Sequence, residues 1–357
     1  MNNWENNVRR VVPYTPGEQP KDSGIIKLNT NENPYPPSSR VKTILDNYDN
    51  SKMRLYPDTN STVLVEALAK RYGVKPSQIF VGVGSDDVIS MAFLTFFNSE
   101  KPVLFPDVTY SFYDVWADVY RIPYKTKALD ENFRINPKDY MCENGGIIFP
   151  NPNAPTGVFE SLDLIEEIIR ANPDSVVIVD EAYIDFGGKS CIPLIEKYEN
   201  LLVVQTFSKS RSMAGMRIGF AIGNEKLIKF MNDVKFSINS YTMNPLSQIC
   251  GAESVYDEEY FIETTNKMIE TRDYSKKKLT ELGFKYTDSM SNFIFASHSS
   301  VSAEKIFKEL KDRKIFVRYW NKPRINNYLR ITIGTREEMD KFFAALEEIL
   351  EIERKTI

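Results

Sequence analysis

An α/β fold, with a large mostly parallel sheet flanked by helices and a smaller α+β domain after it, is the class this sequence predicts. Three observations predict it. Short apolar runs at 79–83, 103–105, 146–149, 176–179 and 201–204 alternate with segments of helical spacing, the rhythm of strands joined by crossover helices. Beyond residue 290 that rhythm gives way to strands at 293–295, 316–319 and 328–333 with helices at 302–312 and 336–352. This reads as antiparallel strands covered on one face. At 357 residues the chain also exceeds a single compact core, so two domains are expected.

The elements follow in order. Residues 1–40 hold Pro13, Pro16, Pro20, Pro34, Pro36 and Pro37 and read as an extended arm that packs with the smaller domain. The larger domain is placed at 41–240. It opens with a helix at 62–72, and the strand at 79–83 turns through Gly82 and Gly84 into a helix at 86–97. The strand at 103–105 leads to an amphipathic helix from Ser111, and a helix at 161–170 separates the strands at 146–149 and 176–179. Gly219 to Gly223 reads as an edge strand, and 225–235 as a helix. The smaller domain, 241–357, starts with a helical stretch at 245–282, with Pro245 at its first turn.

Composition excludes several classes of function. Net charge is −4 with a pI near 5.5, and no basic stripe carries interleaved aromatics, so nucleic acid is not an expected partner. No apolar run approaches the roughly 20 residues of a membrane span, and Met1 to Asn7 lacks the basic-then-apolar pattern of a secretion signal. Cys142, Cys191 and Cys250 are scattered without a pairing motif, which points to a reducing, cytoplasmic setting. The single histidine, His298, supports neither a histidine metal site nor a serine triad, and no metal is expected.

The chemistry gathers at strand ends. Lys209 lies in Thr206-Phe207-Ser208-Lys209-Ser210-Arg211, just after the run at 201–204, with Arg217 eight residues on. Hydroxyls and two further cations, Arg211 and Arg217, would press its amine toward the neutral form, which can attack a carbonyl. The run at 176–179 ends in Asp180-Glu181-Ala182-Tyr183, and that at 146–149 runs into Pro150-Asn151-Pro152-Asn153-Ala154-Pro155-Thr156-Gly157. Carboxyl ends of parallel strands share one edge, where ligands bind. A lysine, a carboxylate, a phenol, an amide and an arginine converging there suit pyridoxal 5'-phosphate. The lysine forms a Schiff base with its aldehyde, the acid pairs with its ring nitrogen, amide and phenol reach its 3-oxygen, and arginine with serine hydroxyls holds its phosphate. Gly84-Ser85-Asp86 opens a helix and offers amides to a single phosphate; Asp87 stands where a dinucleotide fingerprint needs glycine. Tyr110 reads either as a core aromatic or as a ring stacked on the cofactor.

With those residues in view, the chain resembles the fold type I pyridoxal-phosphate aminotransferases, and among them the histidinol-phosphate aminotransferase family. The resemblance runs through Val12-Pro13-Tyr14, Leu28 to Pro34, Tyr56-Pro57-Asp58, Gly84-Ser85-Asp86, Asn151 to Gly157, Asp180 to Tyr183, Ser208-Lys209-Ser210, Arg217, Val317 to Trp320 and Tyr328 to Thr335. It implies a seven-stranded sheet in the large domain and a homodimer whose active site is shared across the interface. It implies that Lys209 holds the cofactor and then carries the proton, that Asp180 pairs with the ring nitrogen, that Tyr183 bonds the 3-oxygen and that Tyr110 stacks on the ring. Gly84, Ser85, Asp86, Ser208 and Arg217 would hold the phosphate, joined by Tyr56 from the neighbouring subunit. Arg330 would grip the substrate anion, with Tyr14, Asn33, Arg318 and Arg324 at the same end. The implied reaction transfers the amino group of L-histidinol phosphate to 2-oxoglutarate, giving imidazole-acetol phosphate and L-glutamate, a step of histidine biosynthesis. One departure stands out: Ala154 occupies the place of the asparagine that usually bonds the 3-oxygen, and Asn153, one residue earlier, is the substitute to test.

Other readings use the same residues. Tyr14, Tyr319 and Trp320 would suit an aromatic or broad-specificity aminotransferase. A decarboxylase of phosphorylated amino acids would need no 2-oxoglutarate. A catalytically silent, cofactor-binding regulatory protein would need a partner-binding extension. A Ser-Lys hydrolase would leave Asp180 and Arg217 without a role.

Overall fold

The computed structural model describes residues 3–21 and 23–356. The arm contributes β1 (Ile26–Lys27). There follow α1 (Ser39–Asn47), α2 (Thr62–Tyr72), β2 (Ile79–Gly82), α3 (Ser85–Phe96), β3 (Val103–Pro106), α4 (Tyr113–Tyr120) and β4 (Tyr124–Lys127). Next come β5 (Gly146–Pro150), α5 (Leu162–Ala171), β6 (Val177–Asp180), β7 (Leu201–Thr206), β8 (Gly219–Gly223), α6 (Glu225–Ile238) and α7 (Pro245–Tyr256). The remainder is α8 (Glu258–Glu281), β9 (Phe284–Tyr286), β10 (Phe293–His298), α9 (Ala303–Asp312), β11 (Ile315–Phe316), β12 (Arg318–Tyr319), β13 (Leu329–Thr332) and α10 (Arg336–Thr356).

Seven strands form one sheet in the order β2-β8-β7-β6-β5-β3-β4. Pairing from β7 to β4 is parallel, and β8 alone runs against its neighbours. Every residue of β5, β6 and β7 is buried, because helices cover both faces and leave no polar side for alternation to mark. Each large apolar side chain so enclosed contributes about 1.5–3 kcal/mol. One face packs Val177, Val179, Leu201 and Val203 with α2, α5 and α7. The other packs Ile148, Ile178, Leu202 and Val204 with α3, α4 and α6.

Two sheet elements differ from the sequence reading. Gly219–Gly223, expected at an edge, lies between β2 and β7. Phe220, Ala221 and Ile222 are all buried, and Gly219 lies so close to Gly84 and Ser85 that a Cβ there would collide with their backbone. The edges are β2 and β4, and β4 is absent from the sequence reading because Tyr124-Lys125-Thr126-Lys127 is polar and largely exposed, as a protected edge requires.

The helical stretch at 245–282 divides at Asp257 into α7 and α8. The predicted strand at 316–319 divides too. β11 pairs in parallel with β1, whereas β12, one residue on, pairs with β13 in the antiparallel sheet β12-β13-β10-β9. That sheet packs Phe293, Ile294, Leu329 and Ile331 with α8, α9 and α10. Backbone bonds from Leu28 to Phe316 and from Thr332 to Leu28 clamp the arm between the two β layers. Residues 29–33 are thereby carried over the carboxyl ends of the parallel strands. Among the described residues no helix is long and apolar enough to cross a membrane.

Candidate active site

A cavity of about 410 Å³ opens where β5, β6 and β7 end, α3 begins and the arm crosses. Its floor is Asp180, the last residue of β6. Asp180 is 4% exposed, accepts a 2.9 Å bond from the Tyr113 phenol and a 3.2 Å bond from the Ala182 amide. Burial raises its pKa to about 6; those two donors and Lys209 oppose the rise, and Asp86 adds to it. Its neighbour Glu181 points out of the cavity and accepts from Ser190, the Cys191 amide and Gln205 at 2.6–2.8 Å. Burial carries Glu181 to about 7.

Lys209 enters from the loop after β7. Its Nζ donates to the Thr30 carbonyl at 3.2 Å and stands 5.6 Å from the centre of the Tyr183 ring. Tyr183 is braced edge-on against Phe293, and its hydroxyl accepts from Asn31 Nδ2 at 2.9 Å. Tyr110 closes one wall, donating to Asp86 at 2.8 Å. Burial, then the Asp86 carboxylate, raises the Tyr110 phenol well above its ordinary range.

The end of the cavity where α3 begins is built on close backbone approach. Gly84 adopts φ +87, and the Arg217 guanidinium lies so near that a Cβ at position 84 would overlap it. Arg217 itself is left-handed, at φ 53, and reaches Asp86 at 3.3 Å. Ser85 and Asp86 fall in the first turn of α3, whose amides have no acceptor within the helix. Ser208 is buried beside Thr206, whose hydroxyl donates to it at 3.0 Å.

A second cationic end faces the first. Arg330 Nη2 donates to the Asn29 carbonyl at 2.9 Å, while its Nε is buried without a hydrogen-bond partner. Among the described residues no carboxylate forms an ion pair with it. Burial lowers its pKa, opposed by the phenols of Tyr183 and Tyr14. Arg318 lies beside it, holding the Thr15 and Pro16 carbonyls of the arm at 3.0 and 3.2 Å. Tyr14 stacks on Phe112 at 4.1 Å, and burial raises its pKa.

The cavity thus brings together Lys209, Asp180, Tyr183, Ser85, Asp86, Tyr110, Ser208, Arg217, Tyr14, Arg318 and Arg330. Three expected site residues are elsewhere, as is Arg211, expected beside Lys209. Asn153 turns away, its amide held by the Val108 carbonyl and Thr156 hydroxyl, and Ala154 lines the wall instead. Asn33 donates to the carbonyls of Lys209 and Ser210, fixing the loop and not touching the cavity. Arg324 is occupied by Asp107 and the carbonyls of Leu129 and Asp130. Arg211 lies behind the loop, bonded to the Ser254 carbonyl and stacked on Phe261. Tyr56, expected to serve a neighbouring copy, is 81% exposed and stacks on Tyr241 outside this chain's cavity.

Two residues escaped the sequence reading. Tyr113 sits in an aromatic helix where a buried ring reads as core, and Asn31 lies within a segment whose motif gave no individual role. The donor set fits one elongated, dianionic, ring-bearing group. An acid lies on the floor, an amine above it, helix amides with Arg217 at one end, and a guanidinium with an orphaned Nε at the other. Among the described residues no cluster of His, Cys, Asp or Glu could hold a metal ion.

Comparison with known proteins gives the following. Residues 23–346 match the family model described as Aminotransferase class I and II. The histidinol-phosphate aminotransferase of Lactococcus lactis subsp. cremoris (strain MG1363) is 50% identical over 353 residues, 99% of either chain. That of Clostridium botulinum (strain Kyoto / Type A2) is 50% identical over 347 residues, 97% of this chain and 98% of the relative. The crystal structure of the histidinol-phosphate aminotransferase from Clostridium acetobutylicum matches with a TM-score of 0.85 at 22% identity, over 92% of this chain and 99% of that one. The Sinorhizobium meliloti structure, in complex with pyridoxal-5'-phosphate, has a TM-score of 0.85 at 21% identity, over 92% and 91%. At such identity these two structures speak for the fold alone.

Proposed function

From the premise that this chain belongs to the class I and II aminotransferases, we propose that it transfers the amino group of L-histidinol phosphate to 2-oxoglutarate, with pyridoxal 5'-phosphate as cofactor. The products are imidazole-acetol phosphate and L-glutamate. The observation that carries this is a lysine amine and a buried acid from the ends of adjacent parallel strands facing one cavity, with an arginine there that has no carboxylate partner among the described residues.

When bound, the cofactor supplies an aldehyde that takes up the amino group and a protonated ring that accepts electrons from the substrate α-carbon. Asp180 would hold the proton on the ring nitrogen, and Tyr113 keeps its carboxylate turned to the cavity. Ser85, Asp86, Ser208 and Arg217 would bind the phosphate, with Gly84 leaving the room that Arg217 needs. Tyr110 would cover the ring and Tyr183 would donate to its oxygen. Lys209 Nζ would take the proton from the substrate α-carbon and deliver it to the cofactor's aldehyde carbon. Arg330 and Arg318 would grip the phosphate of the donor and the carboxylate of the acceptor in turn, since planar bidentate donation suits both.

The exposed Tyr56 would reach the cofactor phosphate of a second copy, making a homodimer the working unit. The arm at 1–40, the larger domain at 41–240 and the smaller at 241–357 would enclose the substrate between them. Three free cysteines accord with a cytoplasmic setting.

A second reading, with aromatic amino acids as donors, is favoured by an annex of about 200 Å³ beside the cavity. Tyr14, Tyr110, Tyr124 and Trp320 line it. One assay separates the two. Purified protein is given histidinol phosphate, phenylalanine or tyrosine with 2-oxoglutarate, and glutamate is measured. Histidinol phosphate should give the highest kcat/KM; preference for either amino acid would move the assignment to the second reading, and no glutamate from any donor would sink both.

A further inference from the structure

Asn31 has no role in the reading above, yet its hydrogen bonds run in one direction and end at the site. It is 1% exposed and left-handed, at φ 58, a conformation asparagine tolerates. The Thr332 hydroxyl accepts from the Asn31 backbone amide at 3.1 Å and donates to Asn31 Oδ1 at 3.0 Å. With Oδ1 fixed as an acceptor, Nδ2 is the end that meets Tyr183, donating to its hydroxyl at 2.9 Å. Asn292 secures the other side, donating to the Asn31 carbonyl at 2.9 Å. Thr332 and Asn292 are both buried, so the chain of donors is locked from behind.

The consequence concerns a proton. A phenol oxygen that already accepts one bond leaves its own hydrogen to donate elsewhere. Among the described residues no acceptor takes the Tyr183 hydrogen, and Tyr183 lines the cavity. The neighbouring wall offers no equivalent donor: position 154 is alanine, and the Asn153 amide is held by Val108 and Thr156.

We propose that Asn31 is a positioning residue that makes Tyr183 an obligate donor to the ring oxygen of bound pyridoxal phosphate, in place of the amide that position 154 lacks. The inference rests on the cofactor reading of the previous subsection and adds to it a residue from the arm. A donor to an anionic ring oxygen stabilises it, so removing the donor raises the pH at which that oxygen is protonated.

The test is a pH titration of the cofactor's visible absorbance in the holoenzyme. Asn31→Asp keeps the shape but replaces the donor with an acceptor, which draws the phenol hydrogen away from the ring. Asn31→Asp and Tyr183→Phe should each raise the midpoint by about one pH unit, the worth of one hydrogen bond. The double variant should titrate with Tyr183→Phe, since both act through the same hydrogen. Asn31→Ala, a check against misfolding of the charged variant, should shift the same way. A midpoint unchanged in Asn31→Ala and Asn31→Asp, or shifts that add in the double variant, overturns the inference. Wild-type protein that stays colourless with pyridoxal phosphate overturns the cofactor reading and this inference with it.

Discussion

The two walls of the cavity are made differently. The floor is local: Asp180 ends β6, Lys209 lies in the loop just after β7 and Ser85 opens the helix that follows β2, on a sheet whose central strands are wholly buried. The roof is assembled from afar. Asn31 meets Tyr183 across 152 positions, Arg330 meets Asn29 across 301 and Arg318 meets Pro16 across 302. The floor owes its geometry to sheet register, and the roof owes its geometry to the docking of an arm. Changes in the floor should therefore abolish chemistry, while loss of the roof's arginines should weaken the grip on substrate.

The hardest blow falls on the floor. Lys209→Ala should lower kcat by roughly a thousandfold or more, the scale of losing a positioned proton carrier, and should alter the bound cofactor's absorbance. Retention of both activity and absorbance would erase the distinction between the walls. Arg330→Ala comes next and should raise KM for both substrates by roughly 10–100-fold, the worth of a charge-assisted hydrogen bond, with the cofactor spectrum intact. A lost spectrum would place Arg330 with the floor.

Asp180→Asn sharpens the comparison through stability. Folding lifts the Asp180 pKa from 3.8 to about 6, so ionisation is costlier in the folded state than in the unfolded chain. The stability this group contributes is complete below pH 4 and is lost as pH rises toward 6. The cofactor-free Asp180→Asn protein should accordingly gain on wild type across pH 4 to 6, by about 3 kcal/mol at most. Denaturant titrations at both pH values check this, and a gap that narrows with rising pH contradicts it. The smallest effect is expected of Gly219→Ala. A methyl there presses on the Gly84–Ser85 backbone and should cost about 1–3 kcal/mol, with weakened cofactor retention. Unchanged thermal stability and retention would show that the phosphate turn can move freely.

The same contrast explains what could be read from sequence. Lys209, Asp180, Tyr183 and the Gly84 turn were legible because each follows an apolar run of strand length, and strand ends of a parallel sheet share an edge. The interior place of β8 was not, since three apolar residues between glycines look alike at an edge or in the middle. Tyr113 was hidden because burial of a ring and donation by its hydroxyl leave the same letter. Arg324 and Asn33 were drawn to the substrate end by the family pattern, yet Arg324 closes on Asp107 and Asn33 closes on the Lys209 loop. Partners so distant along the chain leave no spacing to detect.

Val317 separates β11, which pairs with the arm, from β12, which carries Arg318 into the cavity. One residue gives almost no slack. Lifting the arm from its pairing would tug Arg318 along with it, so the seating of the arm and the position of Arg318 would shift as one lever with two ends.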